Sequence, residues 1–312
     1  MAERTQPPTA EPPIVGSAEL RRRLGRTGVW LSSLAAIPAA GARKAAAEIE
    51  ELGYPALWIG ETPAGREAFT HAALLLSATG RLHVATGIAN IYGRDPVAAA
   101  NGAATLAEAW DQRFVLGLGV SHKPLVAPRG HDYSAPLEYM RDYLDGMDRA
   151  SIEVPQAETP PRVLAALRHR MLELAARRAQ GAHTYFVPPE HTVKAREILG
   201  PDPVLAPEQA VVIETDPGRA REIAREYAAM YLSLPNYTNN LRELGFSEDD
   251  FAGGGSDRLI DAIVAWGDPE TIAERVRAHH DAGADHVCVQ PLADSVGTQI
   301  EHLRLLAPAL LG

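Results

Sequence analysis

The residues best suited to chemistry stand at the ends of short apolar runs. GLGVSHKP at 117–124 presents a hydroxyl (Ser121) and an imidazole (His122) directly after a Gly-x-Gly run. Imidazole titrates near neutral pH, so His122 is the first candidate for proton donor or acceptor. Gly117 and Gly119 carry no β-carbon, and another backbone or a flat ring can approach them closely. A second run ends in Gly60-Glu61-Thr62. Glu61 is the second proton-transfer candidate, with an N-cap or a rim ion pair as its alternative reading. Trp30, Thr62 and Tyr92 are candidate pocket walls, as are Tyr231, Tyr237 and Phe246, with plain packing as the alternative for the aromatics.

Other chemistries are disfavoured. The eleven histidines are scattered, and His279 and His280 diverge by about 100° on a helix, so they cannot chelate together. Neither an HExxH pattern nor a P-loop is present. Cys288 is the single cysteine, which excludes an intrachain disulfide and fits a reducing, cytoplasmic setting. A formal net charge of −10 argues against a nucleic-acid or anionic-membrane surface. No apolar stretch is long enough to span a bilayer.

These residues need elements to position them, and the chain repeats one device. Over 42–61 an amphipathic helix stops at Gly53 and runs straight into the strand Ala56–Ile59. The same grammar recurs at 171–187 with Gly181 as the stop, at 272–290 with Gly283, and at 97–120. Eight strands are predicted: Gly28–Leu34, Ala56–Ile59, Leu82–Ala89, Phe114–Val120, Arg162–Leu167, His183–Val187, Gln209–Glu214 and His286–Gln290. Near-continuous apolar strands alternating with helices imply a parallel sheet covered on both faces. Eight units favour a closed (β/α)8 TIM barrel, in one domain over 21–312, above a Rossmann sheet. The Rossmann glycine fingerprint is missing after the first strand. Residues 1–20 read as a flexible, proline-rich leader. A helical insertion over about 217–268 separates strands seven and eight and reads as a lid or dimer element. In such a barrel the strand C-terminal ends carry the active site.

At this point four segments resemble one family. ATGIANIYGRDP at 85–96, the Ala-rich helix and WDQRFVLGLGVSH, and the ending GDPETIAERVRAHHDAGADHVCVQPL look like the luciferase-like monooxygenases over roughly residues 24–310. The GLGVSH strand end and GAHTYFVPPEHT at 181–192 resemble the branch that uses the deazaflavin coenzyme F420.

The resemblance implies an oxidoreductase passing a hydride between F420 and a small organic substrate. A monooxygenase using reduced FMN is the alternative, and a barrel that has lost its coenzyme and only binds a ligand is a third reading. It implies a bulge with a non-proline cis peptide at Gly87–Ile88 behind the coenzyme ring, with Ala89 and Asn90 on the same wall. Gly119, Val120 and Ser121 would also adjoin the coenzyme. The sequence departs from the family's sugar-phosphate dehydrogenases at Thr62, where they carry a histidine, and at His122, where they carry an acid. At Arg168-His169-Arg170 similar proteins often have Gly-Pro. Two readings stand there: recognition of a phosphate or polyglutamate tail, or a drifted surface loop that weakens coenzyme binding. Relatives commonly form dimers, so a homodimer is expected.

Overall fold

The computed structural model describes residues 16–155 and 158–312. Ten strands are present among them: β1 Thr27–Trp30, β2 Ala56–Ile59, β3 His83–Thr86, β4 Ala89–Asn90, β5 Phe114–Gly119, β6 Arg162–Ala165, β7 Gly181–Thr184, β8 Val204–Ile213, β9 Val264–Gly267 and β10 Val287–Pro291. In the order β1, β2, β3, β5, β6, β7, β8, β10 each strand pairs in parallel with the next, and β10 returns to β1. The result is a closed eight-stranded (β/α)8 TIM barrel. Almost every strand residue is buried, as expected where helices cover one face and the barrel interior the other.

The outer helices show why the sequence folds this way. Helix Ala39–Glu51 buries Ala42, Ala45, Ala46 and Ile49 at helical spacing. Just beyond its end Gly53 takes a φ of +94°, and Gly283 takes +102° after helix Pro269–Asp281. Both glycines are therefore the left-handed stops that the repeat requires. Gly181 is not. Helix His169–Arg178 ends without it, and Gly181 opens β7, where a β-carbon would meet the Val204 carbonyl oxygen at 2.5 Å.

Other boundaries also shift. The seventh barrel strand begins at Val204 rather than Gln209 and so includes Glu208. The third breaks after Thr86 and resumes at Ala89. Of the expected leader, residues 1–15 lie outside the described residues, while Ser17–Leu24 is a helix. Leu20 and Leu24 are fully buried and pack with Trp58, Val115, Val163 and Cys288 in the barrel interior. Ser17 and Arg21 bond to Gln180 and Asp285, residues lying just before β7 and β10. The helix thus stoppers the N-terminal end of the barrel.

Between β8 and β10 run helices Pro217–Leu232, Pro235–Glu243, Glu248–Phe251 and Asp257–Ile263, followed by β9, which the sequence reading missed. β9 pairs with Ala210–Ile213 of β8. The insertion packs its apolar residues on Leu167, Phe186 and Val187, beyond β6 and β7, so it sits at the C-terminal mouth. Among the described residues no helix is long and apolar enough to cross a membrane, and no cluster of His, Cys, Asp or Glu could hold a metal.

Candidate active site

The break between β3 and β4 forms one wall of the mouth. The Gly87–Ile88 peptide is cis, and both residues are partly exposed among buried neighbours. Trp30 backs this turn: its indole N–H donates to the Gly87 carbonyl oxygen at 3.1 Å. A β-carbon on Gly87 would stand 2.6 Å from that indole nitrogen, so glycine is needed for the contact. From the other side Gly117 and Gly119 admit the turn itself. Their β-carbons would lie 1.7 Å from the Thr86 carbonyl oxygen and 2.3 Å from Ile88 Cγ1. The Gly-x-Gly end therefore accommodates the chain's own backbone and Ile88, with Gly119 buried beneath the latter.

Val120, Ser121 and His122 follow, all partly buried. Ser121 has a φ of +56°, and its carbonyl accepts from the Tyr133 hydroxyl at 2.8 Å. The His122 ring lies 5.4 Å from that of Tyr237, across the mouth on the insertion. Burial lowers the His122 pKa below its ordinary value, which favours the neutral imidazole.

Several expected residues take other places. Ala89 and Asn90 are covered, 0% and 4% exposed, and do not line the open wall. Asn90 is spent on its own turn, accepting from the Tyr92 N–H at 3.0 Å. Glu61 forms the rim ion pair: it bonds Arg94, accepts from the Asn90 N–H at 2.7 Å, and accepts from the Ala68 N–H at 3.2 Å. Its carboxylate is thus committed to holding the loop after β4. Thr62 is exposed. Tyr92 stacks on Tyr139 at 4.5 Å and lines a separate, acidic cavity of ≈ 310 Å³ with Asp132 and Glu138. Arg168, His169 and Arg170 are exposed at the N-terminus of helix His169–Arg178. Arg168 pairs with Glu243 of the insertion at 3.0 Å, and His169 with Glu173 at 3.3 Å.

The structure also brings forward residues the sequence reading passed over. His183 on β7 is fully buried and stacks on Trp58 at 4.6 Å. Its Nδ1 faces the Ala206 carbonyl oxygen at 2.7 Å, while Nε2 has no partner and points toward Gly87. Burial lowers its pKa to about 4, so the ring is neutral. An unpartnered nitrogen behind a glycine turn fits a polar ring edge lying against that turn. Beside it Tyr185 packs on Trp30 at 5.0 Å and donates to Gln290 at 2.8 Å.

Comparison with known proteins identifies the family and the fold. A model of the luciferase-like monooxygenase family matches residues 23–286. A Mycobacterium tuberculosis protein, provisionally named a coenzyme F420-dependent oxidoreductase, is 29% identical over 171 residues. That match covers 54% of this chain but only 47% of the relative's own length. An F420-dependent secondary alcohol dehydrogenase, solved with an F420-acetone adduct, shares the fold with a TM-score of 0.75. It is 15% identical, over 91% of this chain and 98% of that one. The oxygenating component of a Pseudomonas putida diketocamphane monooxygenase, solved with FMN, gives a TM-score of 0.71 at 14% identity, over 91% and 98% of the two chains. With the family model spanning most of the barrel, this chain belongs to the luciferase-like monooxygenase family of oxidoreductases.

Proposed function

We propose that this enzyme passes a hydride between the deazaflavin F420 and a small organic substrate. The observation that carries the reading is the partly exposed Gly87–Ile88 turn, backed by Trp30 and His183, with His122 at the end of the neighbouring strand. A planar ring laid on that turn has a polar edge to meet and a titrating side chain nearby. When bound, the coenzyme supplies the hydride chemistry; the chain supplies position, a proton-transfer residue and shelter from water. Gly87, Ile88, Val120 and Ser121 would hold the ring. Arg168 and Arg170, at a helix N-terminus, are the candidates for its phosphate end.

FMN is the competing coenzyme, because the same barrel holds it in the diketocamphane enzyme. Titration decides between them. Quenching of F420 fluorescence at micromolar protein, with no response from FMN, supports the proposal. Binding of FMN alone would replace it with the monooxygenase reading, and binding of neither would leave a ligand-binding barrel.

A further inference from the structure

An acid that the reading above does not use lies at the floor of the mouth. Glu208 on β8 pairs in register with Cys288 of β10. It follows Val204 and Ala206 at strand spacing, and these belong to the interior cluster, so Glu208 also faces inward. It is 1% exposed. One carboxyl oxygen accepts from the Phe186 N–H at 3.3 Å, and the other has no hydrogen bond among the described residues. The groups acting on it are that N–H and the Tyr227 hydroxyl, neither of them a cation. With no cation among these groups, the carboxyl is pushed up by burial to about 8.

Phenols lead away from it. Tyr227 and Tyr231 come from helix Pro217–Leu232, Tyr237 from helix Pro235–Glu243, and Tyr185 from the end of β7. The Tyr185 and Tyr231 hydroxyls bond at 2.9 Å. The buried Tyr227 hydroxyl completes no hydrogen bond, but its ring packs on Tyr231 at 4.9 Å and on Phe186 at 5.9 Å, and it acts on both Glu208 and Tyr185. Cys288 is the remaining titratable neighbour, and burial keeps it a thiol. The titratable groups found against Glu208 among the described residues, four phenols and one thiol, are thus all uncharged. At the far end of the chain, Tyr185 packs on Trp30, the residue that holds Gly87.

We propose that Glu208 stores the proton of the reaction and passes it through Tyr227 and Tyr185 to a substrate bound at the barrel mouth. The inference rests on the hydride-transfer reading, and it adds a substrate class: compounds reduced at a C=O or C=N bond. Reduced deazaflavin, when bound, would supply the hydride to carbon. The oxygen or nitrogen left with the electron pair takes the Tyr185 hydroxyl proton, which turns to it from Gln290. Tyr185 recovers it through Tyr227 from Glu208, which becomes a carboxylate and is reloaded from solvent. In the oxidative direction the chain runs in reverse.

Infrared difference titration of the whole, coenzyme-free protein tests the store directly. A protonated-carboxyl band should disappear with a midpoint near pH 8 and be missing from Glu208→Gln, which keeps an acceptor for the Phe186 N–H. In turnover, Glu208→Gln should lower kcat at least about tenfold, leave the coenzyme KM unchanged and abolish the fall in rate at alkaline pH. Tyr185→Phe should reproduce the loss of kcat, which keeps the test open should Glu208→Gln fold poorly. Absence of the band at acid pH, or a Glu208→Gln enzyme with the wild-type rate and alkaline limb, would overturn the proposal. If F420 neither binds nor reacts, the hydride reading fails by itself, and the infrared midpoint still decides whether Glu208 holds a proton.

Discussion

Trp30 and Gly87 are coupled twice: by an indole-to-carbonyl hydrogen bond of 3.1 Å, and by the 2.6 Å that a β-carbon on Gly87 would leave to the same nitrogen. The indole can hold the turn only because residue 87 has no side chain. Gly87→Ala should therefore displace Trp30 and weaken coenzyme binding by about tenfold or more, the equivalent of about 1.4 kcal/mol. Trp30→Phe keeps a ring but loses the donor, and should cost about 1 kcal/mol in denaturant unfolding. A Gly87→Ala protein that binds coenzyme as tightly as wild type would refute the coupling.

Gly117 and Gly119 should respond differently to the same methyl group. At Gly117 the obstacle is the Thr86 backbone, which cannot rotate away, and the alanine variant should lose roughly 4 kcal/mol or more, or fail to fold. At Gly119 the obstacle is the Ile88 side chain. That variant should lose about 1–3 kcal/mol, and Ile88→Val in the same chain should restore part of it. Equal losses at the two sites in thermal unfolding would contradict this account.

Glu61 is expected to matter for stability before chemistry. Its side chain and that of Arg94 are 11% and 10% exposed. Removing one partner of so enclosed a pair costs about 3–5 kcal/mol. Glu67, which also reaches Arg94 at 2.6 Å, should hold Glu61→Gln at the low end of that range. A stable Glu61→Gln with abolished turnover would restore Glu61 to a role in proton transfer.

His122→Ala should lower turnover about 10²–10⁴-fold if the imidazole, in place of the Glu208–Tyr185 chain, moves the proton, with little change in melting temperature. Because burial lowers the His122 pKa, its neutral form persists below the ordinary histidine range. The acid limb of the wild-type rate profile should accordingly lie below about pH 6.5 and vanish in the variant. An unchanged acid limb in His122→Ala would assign it to another group.

Stability should be pulled in opposite directions by two buried populations. The Glu208 carboxyl is raised to about 8, so the folded state binds a proton that the unfolded state has released. Its contribution is greatest below about pH 4.3 and is lost as pH rises toward 8, by up to about 1.4 kcal/mol per unit. His183 and His286 are lowered to about 4, so their effect has the other sign: stability is lost as pH falls from about 6.5 toward 4. The stability gap between Glu208→Gln and wild type should thus shift steadily in favour of the variant between about pH 5 and 8, then level off. A gap independent of pH would show that Glu208 is not held protonated.

The barrel was legible because parallel strands covered on both faces leave nearly unbroken apolar runs, as in Phe114–Gly119. His122 could be found because it directly follows such a run. Glu208 could not. Pro207 and Glu208 interrupt the apolar pattern, so the strand seemed to begin only at Gln209. The interruption was itself the signal. Tyr185 meets Tyr227 and Tyr231 only through folding of the insertion, a proximity that no local pattern encodes. The expectation for Ala89 and Asn90 came from resemblance alone, and the tight local turn that buries them is specific to the folded loop.

The helix Ser17–Leu24 gives the molecule a direction. Leu20 and Leu24 pack against Trp58, Val163 and Cys288 in the interior, and so close the barrel end opposite the insertion. Packing therefore fills the N-terminal end, and the strand C-terminal ends beside the insertion are left for binding. A short segment ahead of the first strand thereby makes the two ends of the barrel unlike, one sealed by side chains and the other bearing the loops.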